Sequence, residues 1–200
     1  ITPFIVELFQ ILNKKYNYAV LRSFENLPDK FDSHDIDIIF DKKQYSSFKN
    51  DLENLITKHD LKIILFNQGE RFDTFILASY IENKLEFLYL DFFFNYSLYG
   101  IKLLESSQIL ERRKFNDKVY HVSLTDEFLE KFLNVKLLNK EYPEKYSYIR
   151  NEIESYHKEE VNNILSQIFG NSIKLNTIEN YSGKDLLKKC HNIIRNNEGY

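Results

Sequence analysis

Apolar positions along this chain change their rhythm several times, and each change marks a new element. Over 2–14 the residues Phe4, Ile5, Leu8, Ile11 and Leu12 recur at helical spacing, with Thr2-Pro3 as N-cap and first turn. Tyr18, Ala19, Val20 and Leu21 then run without interruption, as a short buried strand does, and end at Arg22-Ser23. Residues 25–33 have the Asn, Pro and Asp content of a loop. A second strand follows over 35–40, and Asp41 opens a helix whose apolar stripe is Tyr45, Phe48, Leu52, Leu55 and Ile56. Another strand is expected over 61–66. Two more, over 72–81 and 85–94, are expected to form a hairpin about residues 82–84.

Beyond Tyr96 the pattern becomes mostly helical. A helix is expected over 103–112, and a strand or hairpin over 114–122 around Asn116-Asp117. Thr125 opens a capping signature ahead of Phe128, Leu129, Phe132, Leu133, Val135 and Leu138. Helical spacing resumes over 146–169 after Tyr142-Pro143, and a last amphipathic helix is expected over 185–195. The chain thus reads as α/β (α+β): residues 1–122 form a mixed sheet flanked by helices, and residues 123–200 form a mostly helical C-terminal region.

Three acids break the apolar logic. Asp35 and Asp37 stand one residue apart on an extended segment, so both side chains point to the same face. Like charges that close raise a pKa and destabilise the fold unless a cation lies between them, which makes the pair a candidate site for a hard divalent metal. Asp91 is the other anomaly, an acid inside the apolar run of 85–94. A carboxylate there needs a partner, and a metal shared with Asp35 and Asp37 would supply one.

Composition narrows the class. The chain has 200 residues and 43% hydrophobic content, enough for a sizeable core, and its 27 basic against 30 acidic side chains leave no global positive field for coating nucleic acid. Cys190 is alone, which excludes an internal disulfide and fits a reducing cytosol. No apolar run approaches the roughly 18 residues of a membrane span. The chain begins at Ile1 and contains no Met, as a piece of a longer polypeptide would. Residues 182–184, Ser-Gly-Lys, are not a phosphate-binding loop, because Ile178 stands where the leading Gly is required. Solvated surface is the expected role for Glu70, Arg71 and Asp73, for Arg112-Arg113-Lys114, and for Lys131 and Lys136. His34 is expected to be a loop histidine, and Tyr120 and His121 packing residues.

A helix, a strand ending in a small hydroxyl residue, a loop, a strand with Asp-x-Asp and a later strand with one more Asp resemble the nucleotidyltransferase superfamily, which has the fold of DNA polymerase beta. LRSFENLP at 21–28 followed by DIDI at 35–38 is similar to bacterial nucleotidyltransferase-like domains of the "LRNYENLP…DIDILV" type. Some of these are joined to a kinase-like domain or linked to surface-polysaccharide loci. The resemblance covers 2–94. It implies a cytoplasmic, Mg²⁺-dependent enzyme with two ions, replaceable by Mn²⁺, and an NTP as substrate. Asp35 and Asp37 would ligate both ions, and Asp91 would bind the catalytic one and help deprotonate the acceptor. Arg22 and Ser23 would contact phosphate.

The implied activity is transfer of a nucleotidyl, or related phosphoryl-type, group to a small-molecule acceptor such as a sugar or surface-polysaccharide precursor. A fused or neighbouring kinase or glycosyltransferase would fit such a pathway. Toxin-type transfer to RNA or protein is the alternative within the superfamily, and an inactive nucleotide-binding scaffold is the alternative outside it. The turn at Leu21-Arg22-Ser23 lacks the family's Gly. Either Arg22 replaces part of the backbone cradle, or the ligand is a different phosphorylated molecule.

Overall fold

The computed structural model describes residues 1–30, 35–81, 84–138, 140–141, 143–144 and 147–197. His34 and the turn residues 82–83 therefore lie outside the described residues, as does Tyr142. The chain divides into two compact units, Ile1–Tyr96 with Glu105–Ser123, and Ser97–Leu104 with Leu124–Tyr200.

The first unit is a mixed sheet with helices, the α/β architecture expected. Its elements are α1 (Thr2–Lys15), β1 (Tyr18–Val20), β2 (Asp35–Phe40), α2 (Lys42–Lys58), β3 (Lys62–Gln68), β4 (Phe72–Ile81) and β5 (Lys84–Phe93). Next in the chain is the ribbon β6 (Asn95–Leu98) and β7 (Ile101–Glu105), whose residues Ser97–Leu104 belong to the second unit; α3 (Ser106–Glu111), β8 (Lys114–Phe115) and β9 (Tyr120–His121) complete the first. Seven strands form one sheet in the order β3-β4-β5-β2-β1-β9-β8. The β5–β2 and β1–β9 pairs are parallel, whereas β3–β4, β4–β5, β2–β1 and β8–β9 are antiparallel.

One face of this sheet makes the core. Ile36, Ile38 and Phe40 of β2 and Leu88, Leu90 and Phe92 of β5 pack with Phe4, Leu8 and Leu12 of α1 and with Tyr45, Phe48 and Leu52 of α2. The helical stripe read from the sequence of α2 is the set of residues that this helix buries. Asp41 caps α2, its side chain accepting from the Lys43 N–H at 3.0 Å, so the helix begins where the aspartate satisfies an orphan amide. By contrast α1 has no side-chain cap, and Thr2 lies inside the helix rather than ahead of it.

Two expectations for residues 1–122 fail for identifiable reasons. Residues 101–105 are strand, and α3 covers only Ser106–Glu111; a short apolar run such as Leu103-Leu104 fits either period. Asp73, expected in a solvated turn, is 1% exposed. Because β4 starts at Phe72, alternation sends Asp73 to the core face with Phe75, where its Oδ1 accepts from the Gly69 N–H at 3.2 Å. Burial, and then the charge of Asp73, push the Tyr45 phenol well above its ordinary pKa.

The second unit contains α4 (Leu124–Leu137), α5 (Ser147–Glu152), a π-helical turn (Ile153–His157), α6 (Lys158–Phe169), a 3-10 turn (Ile178–Asn180) and α7 (Gly183–Asn197). Its buried side chains include Phe128, Leu129, Phe132, Ile149, Leu165, Phe169 and Leu186. Lys131 is buried as well, against expectation. It pairs with Glu127 at 2.6 Å, one helical turn away, and that partner is what makes burial of the ammonium tolerable.

Candidate functional site

Strand alternation sends the even-numbered residues of β2 into the core, which leaves Asp35 and Asp37 together on the opposite face. The parallel register with β5 then sets Asp37 directly beside Asp91, and Asp35 beside Tyr89. Neighbouring strands lie about 4.8 Å apart, so the two acids from distant parts of the chain become adjacent. The β4–β5 hairpin extends the row by one strand and places Thr74 against Asp91. The Thr74 hydroxyl donates to Asp91 Oδ1 at 2.6 Å, and Asp91 is half-buried.

Arg22 reaches this face from β1. The Leu21 N–H donates to the Asp37 carbonyl at 2.9 Å, which carries the β1–β2 pairing one residue past the end of the strand. Arg22 Nη2 then donates to Asp35 Oδ2 at 2.8 Å, and Arg22 Nε donates to Asp37 Oδ2. The guanidinium is a rigid fork, so one side chain bridges both carboxylates. Ser23 follows with φ +55°, a left-handed conformation that costs a non-glycine residue free energy. The backbone at this turn thus adopts a geometry usually given to Gly, and Ser23 is exposed there.

Asp37 has opposing influences on its ionisation. Burial raises its pKa most, attraction and hydrogen bonding to Arg22 lower it, and the charges of Asp91 and Asp35 raise it again, for a net upward shift. Asp37 has a side chain only 7% exposed, against 46% for Asp35 and 43% for Arg22. The site is therefore a buried acid at the root of a wetter pair.

Three carboxylates on one face suit a hard cation in donor type, since Mg²⁺ and Mn²⁺ prefer oxygen ligands. Their backbone placement suits it too. As the side chains stand, however, no three His, Cys, Asp or Glu among the described residues gather closely enough to hold a metal ion, and Arg22 is the cation between Asp35 and Asp37.

The remaining candidates lie elsewhere. His121 stacks on Phe24, with ring centroids 4.0 Å apart, and Tyr120 meets Tyr18 edge-on. Arg113 is not a solvated helix end. It donates to Asn17 Oδ1 and to the Leu110 carbonyl, and lies over the Tyr120 ring. Lys136 pairs with Glu179 at 2.9 Å. Ser182 caps α7 through Asp185, and Gly183 packs so closely on α4 that a Cβ there would stand 2.7 Å from the Leu137 carbonyl oxygen. A cleft of about 410 Å³ opens at the other end of β2, lined in part by Asn17, Asp41, Lys42, Phe94 and Arg113. Lys42 lies over the Phe94 ring there, and the lining also carries Glu105 and Glu111, so the cleft has no clear charge preference. Thr74 is the residue that the sequence reading missed. The turn expected over 82–84 would pair Ile81 with Leu85 and set Thr74 opposite Phe92; the observed Ile81–Lys84 pair shifts the register by one and sets it opposite Asp91.

No protein-family model matches the sequence, and no curated protein matches it. The fold is similar to that of a candidate nucleotidyltransferase, TM1012, from Thermotoga maritima: 16% identity, 74% of this chain and 89% of the other covered, TM-score 0.40. It is also similar to JHP933 from Helicobacter pylori, with 8% identity, 99% and 95% coverage and a TM-score of 0.43. A candidate nucleotidyltransferase from H. pylori has 10% identity, 99% and 95% coverage and a TM-score of 0.43. Among the described residues, no helix is long and apolar enough to cross a membrane.

Proposed function

We propose that this chain catalyses metal-dependent transfer of a nucleotidyl group from an NTP to the hydroxyl of a small-molecule acceptor, such as a sugar or a surface-polysaccharide precursor. The observation that carries the reading is the row Thr74–Asp91–Asp37 across three strands, with Asp35 on the same face. It sets two acids from separate parts of the chain side by side and gives one of them a dedicated hydrogen-bond donor. A purely structural role does not call for that concentration of charge, because like charges so placed cost stability.

In this reading Asp35, Asp37 and Asp91 would hold two Mg²⁺ ions, which when bound supply charge neutralisation for the triphosphate and activation of the attacking oxygen. Asp91, aimed by Thr74, accepts the proton of the acceptor hydroxyl. The acceptor oxygen forms a bond to the α-phosphorus as the bond to the bridging oxygen breaks, and pyrophosphate leaves with that electron pair. Arg22 pairs with phosphate oxygens, for which its planar fork is suited. Ser23 contributes its exposed hydroxyl and a turned backbone N–H to the same phosphates.

The test is incubation with each NTP labelled at the α-phosphate, together with Mg²⁺ or Mn²⁺ and bacterial extract, followed by separation of metabolites, RNA and protein. Label in the metabolite fraction, lost in Asp37→Asn, is the expected result. Label in RNA or protein would move the acceptor to a macromolecule, and label in none would leave a binding domain without transferase activity.

A further inference from the structure

We propose that Arg22 is an internal counter-ion that the incoming metal must displace, and that its release makes metal and phosphate bind cooperatively. This rests on the metal-site reading above and adds a binding order to it. The carboxylates at issue are the same ones. Arg22 Nη2 takes Asp35 Oδ2 and Arg22 Nε takes Asp37 Oδ2, so the guanidinium holds one oxygen of each of the two carboxylates that would ligate the cation. Guanidinium and metal therefore compete for one place.

Each partner in the exchange is built for it. Arg22 has 43% of its side chain exposed and lies just beyond the end of β1, outside the hydrophobic core. Asp37 is nearly buried, so its charge needs a cation in either state, the guanidinium before loading and the metal after it. Once displaced, the guanidinium keeps its charge at any working pH and remains tethered beside the acids. An anion arriving there gains a fork of donors that was engaged until the metal entered. The triphosphate thereby stabilises the metal-loaded arrangement, and by linkage the metal raises triphosphate affinity by the same factor. The missing Gly at this turn then has a purpose: the side chain that stands there neutralises the acids in the unloaded protein.

Binding, rather than turnover, tests this. Mn²⁺ affinity is measured by the electron spin resonance signal of the free ion, for the wild type, Arg22→Gln and Arg22→Lys, with and without inorganic tripolyphosphate. The expected result is that Arg22→Gln binds Mn²⁺ alone more tightly than the wild type, on the order of tenfold, and loses the mutual enhancement between Mn²⁺ and tripolyphosphate that the wild type shows. Arg22→Lys, which keeps a charge but not the fork, is expected between them. Thermal unfolding of each variant verifies that it is folded. Equal Mn²⁺ affinity in the wild type and Arg22→Gln, with the enhancement retained, overturns the displacement while leaving the metal site standing. If none of the three proteins binds Mn²⁺, the metal-site reading itself is overturned, and the displacement with it.

Discussion

Asp37 and Asp91 are direct neighbours across two parallel strands, although they stand 54 positions apart in the sequence. Parallel pairing puts both side chains on one face at one level, so neither acid can leave the row without a change of register. Substituting either removes a proposed metal ligand but little packing. Asp37→Asn and Asp91→Asn are each expected to lower transfer by about a hundredfold or more, the scale of losing a charge-stabilising group, with an unchanged far-UV circular dichroism spectrum. Full activity in either variant would remove these acids from the chemistry.

The upward shift of Asp37 makes a separate statement about stability. A carboxyl with a higher pKa in the folded than in the unfolded chain binds its proton more readily when folded, so stability falls as pH rises through the window above 3.8. In the absence of metal, Asp37→Asn is therefore expected to equal or exceed the wild type in urea midpoint at neutral pH. The difference should shrink as the pH falls towards the ordinary carboxylate value. A variant less stable than the wild type at neutral pH would mean that Arg22 stabilises the ionised acid more than burial opposes it.

Under the proposed function Thr74 is a positioning residue, acting through the hydrogen bond it donates to Asp91. Thr74→Val keeps the branched shape and removes the donor. It is expected to lower kcat/KM roughly tenfold, within the range for partners that orient a ligand, mostly through kcat, and Thr74→Ser should restore most of it. A loss in Thr74→Val that Thr74→Ser fails to repair would point to packing of the methyl group.

In the second unit, Lys131 and Glu127 form an ion pair with side chains 6% and 10% exposed. Lys131→Met alone strands a buried carboxylate and is expected to cost about 3–5 kcal/mol, whereas Lys131→Met with Glu127→Leu should lie close to the wild type. Chemical denaturation of the two variants measures this directly.

Much of the first unit was legible because its elements have clean periods. The stripe of α2, the bounds of β2 and the β4–β5 hairpin could be read from single residues such as Tyr45, Asp35 and Ile81. What stayed hidden depends on tertiary placement. The strand at 101–105 competes with a helix on local evidence. The burial of Asp73 and Lys131 is decided by neighbours far away or one turn off, and charge alone argues for the surface. The three acids of the candidate site were visible as anomalies in apolar strands. Arg22 between two of them was not, since only the β1–β2 pairing shows which way it reaches.

The division of labour within β2 has a consequence for how robust the acids are to mutation elsewhere. Its even positions, Ile36, Ile38 and Phe40, are held by the aromatic core, while its odd positions display Asp35 and Asp37. A strand displaced by one residue would drive both charges into that core, which penalises the misaligned register. The core acts as a proofreader for the acids. Substitutions that keep the even positions apolar keep the acids aligned, and the side chains around the row can change with the row itself intact.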